Sequence, residues 1–287
     1  MEFPSPSIVK RLNIRPKKSL GQSFLIDANV SRKIIDACRL YPNDTVIEIG
    51  PGLGSLTFFL AQKVKRVVAV EIDKNLFQYL NTVAPSDLPV VLVRDDILKI
   101  HFADFIYNKK KCILVGNIPY SITTPLLMKF FEESPVIKQA VLMIQKDVCK
   151  RLYAKPGDDD YGLLAIYTAA YLKISLLFDV SPTCFFPQPK ISSAVIFIEP
   201  AGNRNWHGPG EKLFRRLVTA AFSHRRKTLM NCLKNLISEW NIDEDLLKRI
   251  TIKDDIDLSK RGEMFSREEF DRLTALINQV HPSRHES

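Results

Sequence analysis

Residues 46–57 read VIEIGPGLGSLT. A buried strand runs into a turn with Gly50, Gly52 and Gly54, and then into a helix start. Glycines at such a turn let backbone approach a ligand and let helix and strand pack closely. A strand, a glycine turn and a helix in that order open a parallel βαβ chain. The next 150 or so residues keep the same grammar. Further strands are expected over RVVAVEI (66–72), PVVLV (89–93), KCILVG (111–116), QAVLMIQ (139–145) and SAVIFIEP (193–200), the first strand itself covering TVIEIG (45–50). Helices are expected between them, for example over 55–64 and 74–83.

The pattern then changes. PAGNRNWHGPG (200–210) has the composition of a linker, and beyond it helical apolar spacing continues to about residue 279 without a strand-like run. Two domains are expected: an α/β domain over 1–200 with a basic segment at 1–20, and a smaller all-helical domain over 201–287. The chain has no stretch of eighteen apolar residues, and its N-terminus lacks the apolar core of a signal peptide, so a cytoplasmic location away from membranes is expected. Its five cysteines are widely spaced without a CxxC pair, which argues against a disulfide framework or a zinc site, and no metal is expected.

Charge is concentrated rather than spread. Of the formal net charge of +9, residues 1–20 hold +4 (Lys10, Arg11, Arg15, Lys17 and Lys18 against Glu2). Residues 203–234 hold +7, with eight cations against Glu211, so the remainder carries −2. Clustered cations suit a polyanion such as nucleic acid, and Lys17, Lys18, Arg225, Arg226 and Lys227 are the candidate phosphate contacts.

Four strand ends carry the candidate chemistry. Glu71, at the end of the second strand, can accept hydrogen bonds from both hydroxyls of a ribose, so the glycine turn plus this carboxylate points to an adenosine-type cofactor. The spacing is G-x-G-x-G, with Ser55 where a dinucleotide fingerprint has its third glycine, which fits S-adenosylmethionine better than a nicotinamide dinucleotide. VVLVRDDIL (90–98) ends the third strand in Asp95 and Asp96, either a hydrogen-bond acceptor for an adenine amine or a helix-capping pair. GNIPY (116–120) ends the fourth. There the Asn117 oxygen and the Ile118 carbonyl can accept both hydrogens of an exocyclic amine, Pro119 restricts Ile118 to extended backbone, and Tyr120 can stack on a base. Phe185 and Phe186, in a loop stiffened by Pro187 and Pro189, offer a second stacking ring or plain core.

These blocks, together with KKSLGQSFLID (17–27), FFPQPKISSAVI (185–196) and AFSHRRKTLMNCL (221–233), closely resemble the bacterial small-subunit rRNA adenine dimethyltransferases, the KsgA type. The resemblance implies a Rossmann-like, S-adenosylmethionine-dependent methyltransferase sheet and a helical C-terminal domain. It implies a monomer that methylates N6 of two adjacent adenosines in the 3′-terminal hairpin of small-subunit rRNA, within the assembling subunit. Matched onto this chain, the cofactor contacts are Ser23, Leu25, Gly50 with Gly52, Glu71, Asp96 and Asn117, and GNIPY with Phe185 forms the target-adenine site. The family usually has Asn where this chain has Ser23. Competing readings are a large-subunit rRNA methyltransferase of the antibiotic-resistance type, an assembly checkpoint factor acting by binding, and a nicotinamide oxidoreductase. The glycine spacing disfavours the last.

Overall fold

Strand segments rich in Val and Ile, apolar on both faces, are stable only in the middle of a sheet covered on each side. Among the described residues nine strands form: β1 (Phe24–Leu25), β2 (Thr45–Ile49), β3 (Arg66–Val70), β4 (Val90–Val93), β5 (Cys112–Asn117), β6 (Ile137–Gln145), β7 (Leu172–Val180), β8 (Phe185–Phe186) and β9 (Ser193–Pro200). Seven of them make one sheet in the order β4-β3-β2-β5-β6-β9-β7. Neighbours from β4 to β6 are parallel, and β9 runs antiparallel to β6. Val46, Ile47, Val67, Val68, Ile113 and Leu114 are all fully buried. Burial on that scale stabilises by about 1.5–3 kcal/mol per side chain, before conformational entropy is subtracted.

The six expected strands form with ends shifted by a few residues. β7, LKISLLFDV, was not expected. Only Leu172 and Val180 are fully buried along it, because the strand closes one edge of the sheet and leaves Leu176 and Leu177 exposed. The two-residue β1 pairs with β8, Phe24 opposite Phe186 and Leu25 opposite Phe185, which ties the N-terminal segment to the FFPQP loop.

The helices are α1 (Pro6–Arg11), α2 (Ala28–Ala37), α3 (Thr57–Ala61), α4 (Lys74–Val83), α5 (Tyr120–Glu132), α6 (Lys146–Tyr153), α7 (Leu163–Tyr171), α8 (Pro209–Ala221), α9 (Leu229–Glu239), α10 (Glu244–Lys253) and α11 (Arg267–Val280). α3 is shorter than the expected 55–64 because the glycine turn continues to Leu56. Capping follows chemistry: Asp27 accepts from the Asn29 and Val30 amides, Asp73 from Asn75, and Asp243 from Asp245 and Leu246.

This computed structural model describes residues 3–11, 14–107, 110–202 and 209–280, without the side chains of Lys18 and Pro209. Most of the expected linker, 203–208, lies outside the described residues. The chain divides into two units, one of residues 1–149 with 173–200 and one of 150–172 with 201–287. A single cut at 200 therefore misplaces 150–172. That segment contains α7, which is apolar almost all round and belongs to the helical unit. There the Tyr161 hydroxyl donates to the Phe265 carbonyl at 2.7 Å, and the Tyr161 ring meets Phe222 edge-on. Among the described residues no helix is long and apolar enough to cross a membrane.

Candidate active site

The chain reverses its direction of travel through the sheet at β2, which has β3 on one side and β5 on the other. Open α/β sheets bind ligands at such a switch point, beyond the carboxyl ends of the strands. Register brings Ile49 opposite Gly116, so the glycine turn and Asn117 emerge side by side. A Cβ on Gly116 would lie 2.6 Å from the Ile49 carbonyl oxygen, and only glycine lets the two strand ends close up there. Gly50 and Gly52 take φ of +63° and +58°, in the left-handed region. Nothing lies within 4 Å of a Cβ built on Gly50, which leaves room for a ligand beside the turn.

A cavity of about 210 Å³ opens at this edge, and Ser23, Leu25, Gly50, Glu71, Asp96, Asn117, Ile118, Pro119, Tyr120 and Phe185 all line it. The structure thus gathers the predicted cofactor and adenine residues, drawn from positions 23 to 185, around one space; Gly52, in the turn, donates its amide to Glu71 at 3.1 Å. Glu71 is almost fully buried. Its other oxygen accepts from the Asp73 amide at 2.8 Å. Burial raises the Glu71 pKa, partly offset by those two amides. A carboxylate has about four acceptor positions, so two remain for ribose hydroxyls.

Asn117 donates its side-chain Nδ2 to the Ser23 carbonyl at 2.9 Å, which presents Oδ1 as the acceptor. The Ile118 amide donates to the Met143 carbonyl at 2.9 Å, and Pro119 sits at φ −59°, ψ 143°, so this corner of backbone is held at both ends. Tyr120 is 59% exposed at the cavity and free to stack.

Several expectations need correction. Phe185 is not an exposed clamp: it is 4% exposed and packs in the main core while its ring contributes to the cavity wall. Phe186 is not part of the lining and packs with Val9, Phe24, Leu53 and Leu76, the last three of which do line the cavity. The Ser23 hydroxyl donates to the Pro187 carbonyl at 2.6 Å and so ties down the aromatic loop. Asp96 does double duty: it lines the cavity, and it caps a turn by accepting from the Leu98 amide at 3.0 Å. Lys17 and Arg225, expected as phosphate contacts, each have partners within the chain, although both side chains are about half exposed. Lys17 pairs with the buried Asp73 at 2.9 Å. Arg225 donates to the Asp159 and Tyr161 carbonyls at 3.0 and 3.2 Å and meets Glu263 at 3.3 Å, clasping two segments of the helical unit. Arg226 and Lys227 are exposed, with no ion pair among the described residues; the Lys18 side chain lies outside them.

One residue was missed. Glu48 lines the cavity from β2, is 1% exposed, and has Thr57 beside its carboxyl, while its Oε2 is left without a hydrogen-bond partner. Burial pushes the Glu48 pKa up to about 8, with Thr57 returning part of the shift and Glu71 adding to it. The free Oε2 is an acceptor open to a donor or a cation that enters the cavity. The signal was present in VIEIG, where a charged residue interrupts a strand buried on both faces. Glu71 for a ribose, Gly50 for close approach and Glu48 for a cation together fit S-adenosylmethionine. Among the described residues, no cluster of His, Cys, Asp and Glu could hold a metal ion.

Comparison with known proteins agrees with this geometry. The family model for ribosomal RNA adenine dimethylase matches residues 13–272. The chain is 42% identical over 272 residues to ribosomal RNA small subunit methyltransferase A of Bacillus cytotoxicus, covering 93% of each chain. It is 37% identical over 278 residues to the protein of the same name from Clostridium perfringens, covering 97% of this chain and 96% of the other. Among solved structures, a Plasmodium falciparum dimethyladenosine transferase shares the fold with a TM-score of 0.69 at 24% identity, covering 89% of this chain and 97% of the other. A 23S rRNA methyltransferase, ErmE, shares it with a TM-score of 0.63 at 22% identity, covering 89% and 100%. Since residues 13–272 take in the glycine turn, the GNIPY corner and most of the helical unit, the chain belongs to the ribosomal RNA adenine dimethylase family.

Proposed function

We propose that the protein transfers methyl groups from S-adenosylmethionine to N6 of two adjacent adenosines in the 3′-terminal hairpin of small-subunit rRNA, acting in the cytoplasm as a monomer on the assembling subunit. The observation that carries this reading is the fixed Asn117 amide, whose Oδ1 is turned out as an acceptor beside the glycine turn. The small rather than the large subunit is the target because the relatives at 37–42% identity carry that name.

Glu71 and the Gly50 turn would hold the adenosine part of the cofactor, and Glu48 its cationic end. Bound there, S-adenosylmethionine supplies an electrophilic methyl group. An adenine amine is a poor nucleophile because its lone pair is delocalised into the ring. Asn117 Oδ1 and the Ile118 carbonyl, accepting one hydrogen each, favour a pyramidal nitrogen whose lone pair is free. Tyr120 stacks on the base, and the Phe185 wall limits how deep it enters. No side chain need act as a base, since the alkylated amine is acidic enough to release its proton to water.

The deciding experiment offers labelled S-adenosylmethionine to unmethylated small subunits and to protein-free large-subunit rRNA, with digestion to nucleosides. Label in N6,N6-dimethyladenosine from the small subunit alone is expected. Label from the large-subunit RNA would replace this reading with the antibiotic-resistance one.

RNA affinity is expected to draw on the exposed cations that hold no ion pair among the described residues. Charge reversal of Arg226 and Lys227 together is expected to weaken subunit binding and to reduce the slope of log K against log salt by roughly 2, one per phosphate contact. An unchanged slope would remove both residues from the interface.

A further inference from the structure

The basic N-terminal segment does something other than meet phosphate. Lys17 Nζ lies 2.9 Å from Asp73 Oδ2, and the same oxygen accepts from Gln22 Nε2 at 3.0 Å. Gln22 Oε1 in turn accepts from the Lys17 amide at 2.7 Å, closing a ring of three residues. Asp73 is 3% exposed, and its second oxygen caps α4 through the Asn75 amide at 2.8 Å. Burial works to raise the Asp73 pKa, and the hydrogen bonds from Lys17 and Gln22 overcome it, holding the group below the usual carboxylate range.

The ring is continuous with the cofactor site. The Asp73 amide donates to Glu71 Oε1, and Glu71 Oε2 accepts from Gly52. A single line of hydrogen bonds thus runs from Lys17 through Asp73 and Glu71 to the glycine turn. The loop it anchors, 17–23, then crosses to the other wall of the cavity. Gly21, at φ +60°, would bring a Cβ to 3.4 Å from the Pro119 Cβ, and the Ser23 carbonyl receives the Asn117 amide. Gln22, Gly21 and Ser23 all face the cavity.

We infer that Lys17, Gln22 and Asp73 form a clasp of positioning residues, which holds the 17–23 loop between the ribose carboxylate and the amine-binding asparagine. Lys17 serves the cofactor site rather than the RNA, and this assignment rests on the cofactor reading above. Without its lysine, Asp73 becomes an uncompensated buried charge beside Glu71, at a cavity whose lining already includes Asp95 and Asp96.

The test measures S-adenosylhomocysteine affinity by calorimetry, together with kcat and KM for methyl transfer. Lys17→Met is expected to weaken binding and to raise the cofactor KM roughly three- to tenfold, the scale of a hydrogen bond to a charged group on a side chain that is half exposed. The salt slope of RNA binding should not move. Lys17→Arg should restore most of the affinity. The double variant Lys17→Met with Asp73→Asn should bind more tightly than Lys17→Met alone, because neutralising Asp73 removes the stranded charge while keeping an N-cap. A double variant no better than Lys17→Met would overturn the clasp, as would unchanged cofactor affinity together with a reduced salt slope. If the wild-type protein itself fails to bind S-adenosylhomocysteine, the cofactor reading falls first, so the two failures are distinguishable.

Discussion

Replacing Asn117 by Ala is expected to slow single-turnover methyl transfer at least about a hundredfold while S-adenosylmethionine still binds. The figure is the loss of one preorganised acceptor aimed at the reacting group, about 2.7 kcal/mol or more, at 1.36 kcal/mol per tenfold. Asn117 stands at the end of β5, and its amide is oriented by donating Nδ2 to the Ser23 carbonyl at 2.9 Å. The remaining oxygen does not have to reorganise when the amine arrives, and truncation removes an interaction that is stronger in the transition state than in the ground state. Asn117→Asp should be no better, because a carboxylate oxygen would then face the Ser23 carbonyl oxygen. The measurement is rapid-quench transfer to unmethylated small subunits under saturating cofactor, beside calorimetric cofactor affinity. Transfer at the wild-type rate would remove Asn117 from the chemistry, and a variant that no longer bound cofactor would show its role to be binding alone.

What made Asn117 legible in the sequence was its position at the end of an apolar run that could only be a buried strand, the same reason Gly50 and Glu71 could be read. Strand ends in a parallel sheet converge on one edge, so local pattern alone predicts that these residues meet. β7 failed that logic because an edge strand has one unpaired side and no need of a clean apolar run; its middle alternates Lys173, Ser175 and exposed leucines. The non-contiguous helical unit was illegible for a different reason. Residues 150–172 lie between two strands, where a crossover helix of the sheet was the natural expectation, yet Tyr161 and α7 belong with residues far along the chain. The cation assignments suffered most. Composition shows where positive charge is concentrated, but whether Lys17 meets a phosphate or Asp73, and Arg225 a phosphate or two carbonyls, depends on partners between 38 and 66 positions away in the case of Arg225. Glu48 was the opposite case, a signal visible in one pentapeptide whose meaning needed the cavity beside it.

Glu48 carries the largest expected pH effect. Its pKa stands at about 8 against an ordinary 4.5, because the carboxyl is buried at the cavity wall with Oε2 unpartnered. In the ligand-free protein it therefore holds a proton at neutral pH. A cationic group entering the cavity favours the carboxylate, so binding must expel that proton, and affinity for S-adenosylmethionine should rise with pH up to about 8 and level off above it. The sign for stability is the reverse. A raised folded-state pKa means that the folded chain holds a proton the unfolded chain has lost, so this contribution is full below pH 4.5 and disappears as pH rises through about 8. Glu71, also raised by burial, adds to the same slope. Glu48→Gln should flatten the Glu48 part of both curves, making the ligand-free protein relatively more stable at pH 8 while it binds cofactor more weakly there than wild type does. Calorimetry at pH 7 in two buffers of different ionisation enthalpy reads the proton directly: wild type is expected to release up to about one proton from this group on binding, and Glu48→Gln correspondingly fewer. Equal proton counts in the two proteins would mean that Glu48 does not change its protonation state on binding, and the orphaned carboxyl would then be a feature of the core rather than of the site.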